Sequence, residues 1–220
     1  MKTIILSIFS FFIFINNTFA NNSVLDERLL SLSSKGNNAQ LIQMVIDGGA
    51  DVNVKDKQGY TPLLYSCAKG YYDNVKVLLE NGADVNVKLK KETPILLAMK
   101  NDNITPEILE LLIEKGADVN VKDDIGRTPL IIASTSYTDT KVIEVLLDAG
   151  AKINAIGGGS RALDMACSFN SNPDIIKLLL KRGADAKLTD SIGRSAIYYA
   201  KMNENLIGTE AMKMLEKASQ

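Results

Sequence analysis

Apolar residues in this chain follow two periods at once. The short period is helical. Val75, Leu78 and Leu79, then Ile108, Leu111 and Leu112, then Val142, Val145 and Leu146, then Ile175, Leu178 and Leu179 each sit three and four residues apart on one helix face. The long period brings that helix back every 33 or 34 residues. Glycines at 82, 116, 150 and 183 stand where each such helix should end in a left-handed residue, and a fifth at 49 precedes them.

Two further landmarks keep the same register. The glycine opens Gly-Ala-Asp-Val-Asn at 49–53, 82–86 and 116–120, with near copies Gly-Ala-Lys-Ile-Asn at 150–154 and Gly-Ala-Asp-Ala-Lys at 183–187. Thr61-Pro62-Leu63, Thr93-Pro94-Ile95 and Thr128-Pro129-Leu130 follow, weakening to Arg161-Ala162-Leu163 and Ser195-Ala196-Ile197. The Thr hydroxyl suits an N-cap, and proline fits the first helical position, where its missing N–H costs nothing. Five residues on, a small residue recurs (Ser66, Ala98, Ala133, Ala166, Ala200), so neighbouring first helices can approach closely. Between each glycine and the next Thr, segments such as Asp56-Lys57-Gln58-Gly59 and Asp123-Asp124-Ile125-Gly126 carry turn formers.

One unit of this kind has too little apolar surface to fold alone, whereas a stack buries a continuous core. Across about residues 24–219 the pattern resembles the ankyrin repeat. That resemblance implies an all-α repeat solenoid of helix-loop-helix units with projecting β-hairpin fingers. The expected division is an N-terminal capping repeat at 21–54, four central repeats at about 55–87, 88–121, 122–154 and 155–187, and a C-terminal capping repeat at 188–220. The first cap should hold two short helices over 24–48, and the last a charged helix with Glu210, Lys213, Glu216 and Lys217. From Gly to the next Thr-equivalent the steps are 12, 11, 12, 11 and 12, so the fingers at 82–93 and 150–161 are one residue short. Their tips are not assignable from sequence, since one lacks a turn glycine and the other has Gly157-Gly158-Gly159. Extra residues in the units fall near Asn101 to Pro106, Tyr137 to Thr140 and Phe169 to Pro173, as tolerated loop variation or as a modified face.

Residues 1–20 carry a different pattern. Lys2 precedes an apolar run from Ile4 to Ile15, and Thr18 and Ala20 supply small residues at a cleavage site before Asn21. This reads as an export signal, too short for a comfortable membrane span of about 20 apolar residues. The expected protein is exported, periplasmic or secreted, with no membrane insertion after cleavage. The alternative is an uncleaved anchor.

Composition narrows the chemistry. With 25 basic and 26 acidic residues, the chain has no basic run to recruit nucleic acid or an anionic membrane. The densest group, Lys88, Lys90 and Lys91, reads as a solvated loop or, less economically, an anion site. Histidine is absent, which removes His-based triads and His metal sites. No catalytic residues, metal ligands or cofactor are assigned, and the chain is expected not to be an enzyme. Cys67 and Cys167 hold equal positions three units apart, or about 25–30 Å at ordinary helix spacing. A disulfide needs Cα atoms within about 7 Å, so two buried free thiols are expected. Gly157-Gly158-Gly159-Ser160 lacks the Lys of a phosphate loop and reads as a flexible tip. Asp123-Asp124 reads as a turn rather than an acid–base pair, and Asn103-Ile104-Thr105 matches a glycosylation acceptor.

The ankyrin resemblance implies a monomeric scaffold that binds a protein, not nucleic acid, through finger tips and the concave face of the first helices. By position, the tip candidates are Lys57, Gln58 and Tyr60; Leu89, Lys90 and Glu92; Asp124, Ile125 and Arg127; and Ser191, Ile192 and Arg194. The concave candidates lie near Ala68, Lys69, Thr135 and Ser136. The apolar tips Tyr60, Leu89, Ile125 and Ile192 form either an exposed row or finger-to-finger packing. The partner is open: one exported protein, a host protein met by a secreted effector, or an enzyme or toxin served by a periplasmic accessory or immunity protein.

Overall fold

The computed structural model describes residues 22–101 and 105–220. The expected leader and the Asn103-Ile104 part of the acceptor triplet lie outside the described residues. Helix α1 covers 22–35, longer than the short helix expected. It is followed by α2 (Ala39–Asp47), α3 (Pro62–Lys69), α4 (Tyr72–Glu80), α5 (Pro94–Met99), α6 (Pro106–Glu114), α7 (Pro129–Ser136), α8 (Thr140–Asp148), α9 (Ala162–Phe169), α10 (Pro173–Lys181), α11 (Ala196–Ala200) and α12 (Glu210–Ala218). A 3-10 turn, Glu204–Leu206, joins the last two. Among the described residues, β-pairing is limited to isolated bridges in the fingers.

The helices form two rows. The inner row packs α3 on α5, α5 on α7, α7 on α9 and α9 on α11; the outer row packs α2, α4, α6, α8, α10 and α12 in the same order. Ala98, Ala133, Ala166 and Ala200 are buried along the inner row, where small side chains let helix axes come close. The thiols of Cys67 and Cys167 are both free and fully buried in that row. Burial pushes both well above the usual thiol range.

The Thr-Pro starts work as read: the hydroxyls of Thr61, Thr93 and Thr128 accept from the backbone N–H three residues on, at 3.3, 3.5 and 3.4 Å. Arg161 has no such acceptor. Asp164 reaches back instead and takes the Arg161 backbone N–H at 2.9 Å.

The Gly-Ala-Asp-Val-Asn signature resolves into separate jobs. The glycines have φ between 85° and 102°, and the alanine N–H after each bonds the carbonyl five residues back (Ala83 to Leu78, 3.0 Å; Ala117 to Leu112, 2.9 Å). These are Schellman ends, which satisfy carbonyls the helix leaves open. The asparagine then clasps the next repeat. Asn86 Nδ2 donates to Gly116 O at 2.8 Å and its Oδ1 accepts from Asp118 N at 3.0 Å. Asn53, Asn120 and Asn154 repeat the pattern on Gly82 with Asp84, Gly150 with Lys152, and Gly183 with Asp185. The series stops at Lys187, which has Asn's place but faces a unit with no further Gly-Ala-Asp. A second ladder links the inner loops: Asn170 donates to Ser134 O and Tyr137 O, and Asn203 to Cys167 O and Asn170 O. The buried Asn170 and Asn203 therefore seat the lengthened loops on their neighbours.

Finger length sets turn type. The 12-residue fingers close a five-residue turn, with Asp56 N bonding Tyr60 O and Gly59 left-handed at φ 91°. Asp123 with Arg127 and Asp190 with Arg194 do the same. The 11-residue fingers close two-residue hairpins, Leu89 paired with Glu92 and Gly157 with Ser160. Such loops need positive φ at their centre. Gly158 and Gly159 supply it at 63° and 87°, whereas the other finger uses Lys90 at 56°. Gly157 has a different duty. A Cβ there would lie 2.1 Å from Gly126 O, so the glycine permits close finger packing rather than a flexible tip.

Replacing Asn120 by Ala removes one clasp while leaving its partners open to water. The expected loss is about 1 kcal/mol of unfolding free energy. Asp124→Ala, on the neighbouring exposed tip, should change stability by less than about 0.5 kcal/mol. Urea unfolding of the two variants makes the comparison, and equal effects would remove the clasp from the account.

Candidate protein-binding surface

The finger candidates separate by register. In each long finger one residue precedes the turn glycine and one follows it. The preceding residues Gln58, Ile125 and Ile192 are exposed, as are Lys57, Asp124 and Ser191 before them. Ile125 and Ile192 are 58% and 67% accessible. The residues after the glycine fold back. Tyr60 stacks on Tyr65 with ring centroids 4.9 Å apart. Arg127 Nε binds Asp123 Oδ2 at 2.9 Å, and Arg194 Nε binds Asp190 Oδ2 at 3.1 Å. The apolar tips thus divide three ways: Ile125 and Ile192 are open, Leu89 packs on a neighbouring finger, and Tyr60 folds onto the helix of its own repeat, which neither reading foresaw. Leu89 lies against the first finger, 2.9 Å from where a Gly59 Cβ would stand. In the second finger Lys90 is exposed, and Glu92 turns to Lys100 at 2.5 Å.

The carboxylate at the base of each long finger is the hub of its turn. Asp190 Oδ1 accepts from Ile192 N and Arg194 N, both at 2.9 Å, and Oδ2 from Arg194 Nε and the Tyr199 hydroxyl. The Tyr199 hydroxyl, with those N–H donors, holds the Asp190 carboxyl well below the usual range despite burial. At Asp56 burial pushes the carboxyl up, but the Tyr65 hydroxyl and three backbone donors outweigh it and leave it lowered. The same bond raises Tyr65 to about 12. Arg194 also lies over the Tyr199 ring, 4.7 Å from its centroid.

The inner helices add a feature that the finger positions do not reveal. Met165, Phe169, Tyr199 and Met202 line a cleft of about 380 Å³ between α9, α11 and the base of the fifth finger, with Arg194 at its edge. Phe169 and Met202 are each 66% accessible. Sequence reasoning missed both, because an apolar residue at the end of a helix reads as core. The repeat register held the signal: Phe169 stands eight residues after Arg161, as the expected concave residues Lys69 and Ser136 stand eight after Thr61 and Thr128. Lys69 and Ser136 are indeed exposed, while Ala68 and Thr135 are half-buried.

A lowered carboxyl contributes stability above its unfolded pKa of about 3.9 and loses it as pH falls through the folded value. Asp190→Asn should therefore lower the unfolding midpoint at pH 7, with the gap to the parent closing as pH drops below about 4. A gap independent of pH would show that the ionised carboxylate is not what holds the turn.

No curated protein matches the chain. Family models do. One for ankyrin repeats in three copies matches residues 6–89 and 88–156, and one for ankyrin repeats in many copies matches 146–200. Such repeats are protein–protein interaction modules, generally non-catalytic. With matches over most of its length, two rows of helices and five fingers in register, the chain belongs to the ankyrin repeat family.

Proposed function

We propose that this chain is an exported, non-catalytic scaffold that holds a partner protein along its finger tips and inner-helix face. One observation carries the reading: Ile125 and Ile192 on finger tips, and Phe169 and Met202 at inner-helix ends, are large apolar side chains left exposed. Aromatic, Met and Arg side chains around a cleft are the composition of interface anchors. Residues that hold the array together are engaged with neighbouring repeats, so recognition falls to the residues that vary from finger to finger.

The export half rests on Lys2, the apolar run from Ile4 to Ile15, and the small residues Thr18 and Ala20. Among the described residues no helix is long and apolar enough to cross a membrane. Whether the partner shares the periplasm or lies outside the cell separates an accessory or immunity protein from a secreted effector.

Cell fractionation with N-terminal sequencing should find the chain outside the cytoplasm and starting near Asn21. Capture from that fraction should return a partner whose affinity falls at least about tenfold in Phe169→Ser with Ile192→Ser. An unprocessed cytoplasmic chain would remove the export half. Unchanged capture by the double variant would remove the proposed face.

A further inference from the structure

The exposed tips are not chemically alike. Between the second and third fingers lies a cleft of about 290 Å³ that Lys88, Lys90, Lys91 and Lys122 line. Asp118 is the single carboxylate in its lining, and Asp118 Oδ1 is already taken by the Asn120 N–H at 2.8 Å. The chain as a whole is nearly neutral, so four lysines against one acid is a local concentration and not a reflection of composition.

Two details of the second finger leave this charge unmatched, and a third marks its tip. Glu92, the acid nearest to the tip in sequence, points away and pairs with Lys100 at 2.5 Å. Among the described residues, Lys88, Lys90 and Lys91 enter no ion pair; the eight pairs formed all lie elsewhere. Lys90 also sits at φ 56°, the only positive φ of a non-glycine among the described residues. The fourth finger has the same length and uses Gly158 at the matching position. A lysine held where glycine is the easy choice costs stability, and such strain tends to persist where the side chain has a use. On the facing side Lys122 lines the cleft while its Nζ donates one bond to Ile156 O of the fourth finger at 3.1 Å.

The geometry points to an acidic peptide segment as the occupant: two or three consecutive Asp or Glu side chains of the partner protein enter this cleft. This deepens the scaffold reading and rests on it. A short acidic segment fits better than a polyanionic backbone. The long-finger tips carry Lys57 and Gln58, Asp124 and Ile125, and Ser191 and Ile192, a single lysine among six, so no basic stripe runs along the array as nucleic acid would need. Charge complementarity of this kind fixes the register of a partner and speeds its capture.

The test uses the processed chain and a fluorescent peptide with four glutamates flanked by Gly and Ser. Anisotropy at about 50 mM salt should show saturable binding that weakens about tenfold by about 200 mM. Lys90→Glu with Lys122→Glu should weaken it by at least about tenfold, while Lys217→Glu on the exposed face of the last helix leaves it unchanged. Lys90→Gly keeps the turn and removes one cation; it should bind the peptide several-fold more weakly yet melt no lower than the parent, which separates loss of charge from loss of fold. Absence of binding, binding indifferent to Lys90 and Lys122, or tighter binding to an oligonucleotide or an anionic lipid vesicle would each overturn the assignment. If partner capture still depends on Phe169 and Ile192 after such a result, only the acidic segment is lost and the scaffold stands.

Discussion

No repeat in this chain carries a core of its own, and the interface with the next repeat is the constraint on which everything else depends. Each inner helix buries a small residue against its neighbour, so Ala98, Ala133 and Ala166 serve as spacers whose value lies in being small. The first four fingers each hold the next repeat through an asparagine, Asn53, Asn86, Asn120 and Asn154, that both donates and accepts across the interface. These bonds run along the whole array and are individually modest. Their effect is geometric: they set every finger at the same pitch, and stability accumulates from neighbour to neighbour.

That constraint divides the sequence. Residues that recur at every period are committed to packing, capping or clasping, which leaves tips and inner-helix ends free to differ. Turn type adds a second level of variation. A long finger presents two exposed side chains before its glycine and folds the following one back onto its own carboxylate, as Arg127 and Arg194 do. A short finger presents the two residues of a hairpin loop. Shortening by one residue therefore changes what is displayed, Lys90 and Lys91 in one case and two glycines in the other. The glycine finger packs closely against its predecessor through Gly157.

The repeat, its helices and its Thr-Pro starts were legible in sequence because backbone chemistry demands them: a left-handed glycine, a proline at the first helical position, a small residue at a close crossing. Four things were not. The clasp by Asn86 and its counterparts is invisible because the partner carbonyl lies about 30 residues away and every repeat has one. The short finger at Lys90 carries no glycine, so its turn has no compositional sign. Tyr60 and Ile125 look alike as apolar tip residues, but they stand on opposite sides of the turn glycine, and that register decides their fate. Phe169 hides because local periodicity cannot distinguish a buried helix end from an exposed one; alignment with Lys69 and Ser136 in the same register can.

The central claim is that holding the array together and displaying a surface are carried by different residues. It is tested most directly by changing the exposed tips together, Lys57, Gln58, Lys90, Asp124, Ile125 and Ile192 each to Ser, and measuring equilibrium unfolding in urea. The account predicts an unfolding free energy within about 1 kcal/mol of the parent with the slope preserved, since exposed substitutions each shift stability by less than about 0.5 kcal/mol. A loss of several kcal/mol, or a broadened transition, would contradict it by showing that the tips are part of what holds the repeats together.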